Sequence, residues 1–129
     1  MSQRIVLVGH CGVDAPRLEA EVSKCLPRAD VISVNSEEQL QEVCDDGADL
    51  LLINRQLPFG FEAEEGVELI QEIQQMHPDV KVILVSDRSD AQEEAKRAGA
   101  IEGFGKADLG SGKIAACLRD ALRGQGKPN

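Results

Sequence analysis

Asp49–Asn54 reads DLLLIN, the most apolar run in the chain. Leu50 to Ile53 contains no polar residue, so a strand built on it shows apolar side chains on both faces and must be covered on both. That is the signature of a central strand in a parallel sheet between helical layers. Working back toward the N-terminus, Ser36 with Gln39 fits a capping box. It opens a helix with Leu40, Val43 and Cys44 inward and Gly47 at its end. Val31 to Val34 forms a short strand before it. Leu18, Val22 and Leu26 make a helical stripe closed by Pro27, with Asp14 placed to cap its start. Arg4 to Val8 (RIVLV) is a second unbroken apolar run, followed by a turn flanked by Gly9 and Gly12.

Working forward, the loop LPFGFEAEEG leads to a helix marked by Val67, Leu69, Ile70 and Ile73 that stops before Pro78. Val80 to Val85 (VKVILV) is a further strand. Ser89 with Gln92 caps a short helix ending near Gly99, and Ala100 to Gly105 reads as a short, weak strand. Ser111 caps the last helix, which turns Ile114, Cys117, Leu118, Ala121 and Leu122 inward and ends at Gly124. Strict alternation of strand and helix predicts an α/β fold, a three-layer flavodoxin-like (βα)5 arrangement with a five-stranded parallel sheet in the order 2-1-3-4-5. The expected domain covers residues 1–124, with 125–129 as a polar tail.

The chain has 129 residues, one domain's worth. Its 14 basic and 23 acidic residues give a net charge of −9, which argues against nucleic-acid partners and against attraction to a membrane surface. No apolar run has the ~20 residues of a membrane span. Four cysteines, Cys11, Cys25, Cys44 and Cys117, stand far apart without a CxxC pair. With no secretory signal, reduced thiols in a cytoplasm are expected. Cys25, Cys44 and Cys117 read as small core fillers. His10 beside Cys11 supplies two adjacent metal-ligand types, but no third or fourth ligand at useful spacing.

In the predicted fold, ligands and chemistry sit at the carboxyl ends of the strands. His10, Asn54, Ser86, Asp87 and Lys106 fall there. This spacing resembles the receiver domain of two-component response regulators over about residues 4–123. DLLLINRQLP is similar to that family's central strand, where an aspartate precedes a short gap and a Leu/Met-Pro pair. ILVS ends in the family's Ser/Thr position at Ser86. EGVELIQEI resembles the start of its third helix. EEAKRAGAIEGFGK resembles the run that ends in its lysine, here Lys106.

The resemblance implies a signalling module, and in such domains a strand-end aspartate accepts a phosphoryl group beside Mg²⁺ and a lysine. This chain departs from that pattern. Asn54 stands at the acceptor position, and an amide is a poor nucleophile. Gly9 and His10 replace the acidic pair after the first strand, and Mg²⁺ strongly prefers oxygen ligands. The expectation is a degenerate phosphoacceptor pocket of Asn54, Gly9, His10, Ser86 and Lys106, without cofactor, bound Mg²⁺ or enzymatic activity. Gly103 occupies the place of the family's switch aromatic, and Phe104 should point to the opposite face of its strand.

Two readings stay open for Lys106: a structural cation bonded to the Asn54 side chain or a carbonyl, or part of an anion pocket. His10 reads as a solvent-facing loop residue. Phe59 and Phe61, in a loop longer than the family's usual connection, either dock a partner or fold back over the vacated acidic pocket, and Phe104 joins them as a docking candidate. The resemblance implies protein partners (a histidine kinase, an output domain or another signalling protein) and allows a homodimer. The alternatives are a phosphorylatable receiver with a substituted acceptor, or an anion- or small-molecule-binding domain of the same fold.

Overall fold

The computed structural model describes residues 3–57 and 60–123. Its elements run β1 (Arg4–Val8), α1 (Asp14–Cys25), β2 (Asp30–Val34), α2 (Glu37–Asp46), β3 (Leu50–Asn54), α3 (Gly66–Met76), β4 (Lys81–Val85), α4 (Ser89–Arg97), β5 (Ile101–Phe104), a one-turn 3-10 helix (Lys106–Asp108) and α5 (Lys113–Arg123). The strands form one parallel sheet in the order β2-β1-β3-β4-β5, as the alternating pattern predicts. Strand boundaries differ from the sequence reading by a residue at the ends of β2, β3, β4 and β5. Asp49, expected as the first residue of β3, instead accepts a bond from Arg4 N at 2.8 Å through its carboxylate.

The apolar runs divide between two faces because successive strand residues point opposite ways. Val6, Val8, Leu51, Ile53, Val82 and Leu84 pack against Leu40, Cys44, Leu69, Ile70 and Ile73 from α2 and α3 and Ala91 and Ala95 from α4. Ile5, Leu7, Leu50, Leu52, Ile83, Val85 and Phe104 pack against Leu18 and Val22 from α1 and Ile114, Leu118, Ala121 and Leu122 from α5. Cys44 is buried, and burial pushes its thiol up to about 11. Cys25 and Cys117 are half-buried against the second cluster.

Local signals hold with adjustments. Ser36 Oγ accepts from Gln39 N at 3.2 Å, and Gln39 Oε1 reaches back to Asn35 N at 2.8 Å rather than to Ser36. Gly47, at φ +100°, closes α2 in the left-handed region that glycine tolerates. Ser111 Oγ accepts from Lys113 N at 3.3 Å at the start of α5. Two cap expectations are corrected. Asp14 does not cap α1: it is the helix's first residue, Val13 holds the cap position without a side-chain bond, and Cys11 serves the first turn instead, its carbonyl accepting from Ala15 N at 2.9 Å and its Sγ from Asp14 N at 3.4 Å. Gln92 does not fold back on Ser89; its amide reaches the sheet. No helix among the described residues is long and apolar enough to cross a membrane. Phe59, Gly124 and the tail 125–129 lie outside the described residues.

Candidate functional site

The carboxyl ends of β1, β3, β4 and β5 converge on the positions singled out from the sequence. Gly9 ends β1 at φ +74°, a conformation favouring glycine, with its N–H on Val34 O at 3.0 Å. The chain then delivers His10 inward, not to solvent as expected: the residue is only 5% exposed. Its Nε2–H donates to Leu52 O at 2.9 Å. A carbonyl can only accept, so this bond fixes the proton on Nε2 and leaves Nδ1 a bare lone pair. Nδ1 is buried with no partner. Burial holds the imidazole below its ordinary pKa, and the nearby Lys106 charge pushes the same way; the Leu52 bond and Asp14 oppose them more weakly. Cys11, the next residue, is exposed. The two side chains therefore diverge and do not form a shared ligand pair.

Asn54, the last residue of β3, uses its amide as a brace. Nδ2 donates to Gly9 O at 3.1 Å and to Gln56 O at 2.8 Å, tying the end of β1 to the turn after β3. Lys106 does not bond to Asn54. Its Nζ donates to Asp14 Oδ2 at 2.6 Å, with the two side chains 35% and 26% exposed. That bond, assisted by the Cys11 sulfur, holds the Asp14 carboxyl below the usual range. A half-buried ammonium needs an anionic or carbonyl partner, and among the loops facing it the carboxylate at the start of α1 supplies one. Asp14 was missed because its position also suits a helix cap; the signal available was the unpaired charge of Lys106 itself.

Ser86 Oγ accepts from Arg88 N at 3.1 Å, and Asp87 Oδ1 accepts from Ala107 N at 3.1 Å. Together Asn54, Arg55, Gln56, Val85, Ser86, Asp87, Arg88 and Lys106 line a cleft of about 260 Å³. Arg55 and Arg88 are cations that the sequence reading did not place here. Arg88 is paired with Asp90 at 2.9 Å on the open surface.

Phe104 is corrected outright. It is 1% exposed and belongs to the α1/α5 cluster, so it is no docking anchor. It does face away from the Gly103 side, as expected, but both faces of this sheet are covered. Phe61 is half-buried against the α2/α3 cluster. Its loop is held to the start of α2, where Glu37 N donates to Gly60 O at 2.8 Å.

At Gly103 the β4–β5 register slips: Ile83 pairs with Ile101 and Val85 with Phe104, so Glu102 and Gly103 both face Leu84, a bulge. Gln92 Nε2 donates to Leu84 O at 2.8 Å and Ser86 O at 3.1 Å, and lies 3.4 Å from Phe104 O. A side chain at position 103 would meet Leu84 O first, at 2.5 Å, and then Gln92 Oε1 and Ile83 Cγ2, each at 2.9 Å. Glycine at this position lets β5 approach the Leu84 carbonyl of β4 closely.

No family model and no curated protein matches the chain. Solved structures do. It superposes on NtrX from Brucella abortus with a TM-score of 0.81 at 19% identity, covering 97% of this chain and 28% of that one. It thus spans little more than a quarter of NtrX. The signal receiver domain of a DNA-binding response regulator from Colwellia psychrerythraea 34H gives 0.76 at 13% identity, covering 95% and 99% of the two chains. The signal receiver domain of an HD domain-containing protein from Pseudomonas fluorescens Pf-5 gives 0.75 at 23% identity, covering 96% and 89%. The chain has the five-stranded α/β fold of response-regulator receiver domains.

Proposed function

We propose that the chain is a receiver-type signalling module that acts through protein–protein contacts, without phosphorylation of an aspartate and without enzymatic turnover. The observation that carries this reading is the state of Asn54. At the position where receivers present a carboxylate, this chain presents a neutral amide whose N–H groups are committed to Gly9 O and Gln56 O. The donor set does not fit magnesium. Gly9 has no side chain, and His10 is turned onto Leu52 O. Of the carboxylates at these loops, Asp14 is held by Lys106 and Asp87 by Ala107 N. Mg²⁺ demands near-octahedral oxygen ligation, and the described residues contain no cluster of three or more His, Cys, Asp or Glu side chains able to hold a metal. The partners are signalling proteins of the kinds receivers serve: a histidine kinase, an output domain or a second copy of the chain in a cytoplasmic setting. Incubation with an acyl phosphate and Mg²⁺ tests the reading; the expected product is unmodified protein.

A second reading, a non-covalent anion site, is favoured by one observation: Arg55, Arg88 and Lys106 line the same cleft in a chain of net charge −9. Asp14 then acts as a competing internal anion on Lys106. Asp14→Asn should tighten inorganic phosphate binding by about fivefold, the scale of a partly exposed ion pair. An NMR titration followed at the amides of Ser86 and Lys106 measures it. Unmoved signals in both proteins would remove the anion reading.

A further inference from the structure

We propose that His10 is a proton-operated switch that decides whether Asp14 holds Lys106 or releases it. The imidazole has one committed nitrogen and one idle one. Nε2–H donates to Leu52 O at 2.9 Å, and Nδ1 is buried with no hydrogen-bond partner. Gaining a proton leaves the Leu52 bond intact, because Nε2 carries its hydrogen in both forms. Only Nδ1 changes, from an idle acceptor to a donor that needs an acceptor, on a ring that has become a buried cation.

The surroundings offer that cation one anion. Among the described residues, the charges that act on the ring are Lys106, from the 3-10 turn after β5, and Asp14, from the start of α1; β3 contributes only the Leu52 carbonyl. A protonated His10 and Lys106 repel each other, and both are drawn to the same carboxylate. With His10 neutral, Asp14 is bound to Lys106 Nζ at 2.6 Å, the two side chains 26% and 35% exposed. A pair that reaches water is held weakly. An imidazolium enclosed in protein has no water to turn to and attracts the carboxylate more strongly. The exchange frees Lys106 Nζ in the cleft that it lines with Arg55 and Arg88. Burial holds the ring below its ordinary value of 6.5, so Lys106 is held above about pH 6.5 and released as the pH falls below it. The consequence, an anion admitted in acid, rests on the anion reading of that cleft.

Two readouts on the full chain separate the switch from its consequence. The first is an NMR titration from about pH 7.5 to about pH 5, the span of an imidazole. The His10 ring nitrogens, the Asp14 carboxyl carbon and Lys106 Nζ should move with one midpoint, Nζ losing the signature of its ion pair. The Asp14 carboxyl itself titrates below the usual range, so in His10→Gln its signal should stay flat. The second readout is inorganic sulfate, a dianion throughout this span. Wild type should bind it about fivefold more tightly at the lower pH, the scale of the ion pair released, and His10→Gln equally at both. Joint movement without sulfate binding would support the switch and remove the anion reading. A Lys106–Asp14 pair that persists through the His10 titration, or a ring still neutral at the lower pH, would overturn the proposal whatever sulfate does.

Discussion

His10→Ala is expected to lower the unfolding free energy by about 3 kcal/mol, read from urea denaturation. The substitution removes a buried ring and the imidazole's hydrogen bond to Leu52 O, and these two losses add. His10→Gln keeps an N–H able to reach Leu52 O and should cost far less. The pair also separates the pH response. The folded imidazole sits below its ordinary value of 6.5, so the unfolded chain binds the proton more readily than the folded one. Wild-type stability is therefore fullest above about pH 6.5 and declines as the pH falls from there toward the lower folded value. His10→Gln should lack this decline. A wild-type and variant difference that does not change between pH 7.5 and pH 5 (about the span over which an unperturbed imidazole titrates) would mean that His10 takes up its proton in the folded state without penalty.

Gly66→Ala should be nearly as damaging, at about 3 kcal/mol. Gly66 is the first residue of α3. A methyl there would overlap the main-chain oxygen of Asn54 and lie 2.9 Å from Leu84 Cδ1 and 3.1 Å from Ile53 Cγ2. A backbone oxygen cannot rotate out of the way, so the start of α3 must shift off β3 and disturb the Asn54 brace. Gly12→Ala is the matched control: nothing lies within 4 Å of the place its added methyl would take, and its effect should stay within about 0.5 kcal/mol. Equal urea midpoints for the two variants would show that α3 does not approach β3 this closely.

The fold was legible because its signal is repetitive and local. RIVLV, LLLI and VILV are unbroken apolar runs, and helical stripes alternate with them; few topologies satisfy both patterns. The location of the site followed from that topology, since strand ends in such sheets converge. What the sequence did not disclose is where the polar side chains turn. The Lys106–Asp14 bond joins residues 92 apart, and nothing at Asp14 distinguishes a cap from an ion-pair partner. The inward turn of His10 depends on the positive φ of Gly9, a backbone choice that composition permits but does not dictate. Gln92 sits where a capping box fits the local pattern, and only the bulge opposite Leu84 draws it to the sheet. Phe104 shows a different failure. Its strand face was read correctly, yet a doubly covered sheet has no outward face on which an aromatic can serve as an anchor.

The proposed role requires that Asn54 and its neighbours receive no phosphoryl group. Intact-mass spectrometry of the wild-type chain after incubation with an acyl phosphate and Mg²⁺ tests this most directly, because it detects covalent transfer to any residue. A single species at the unmodified mass is the expected result. A stoichiometric gain of one phosphoryl group, lost on treatment with hydroxylamine as an acyl phosphate would be, contradicts it.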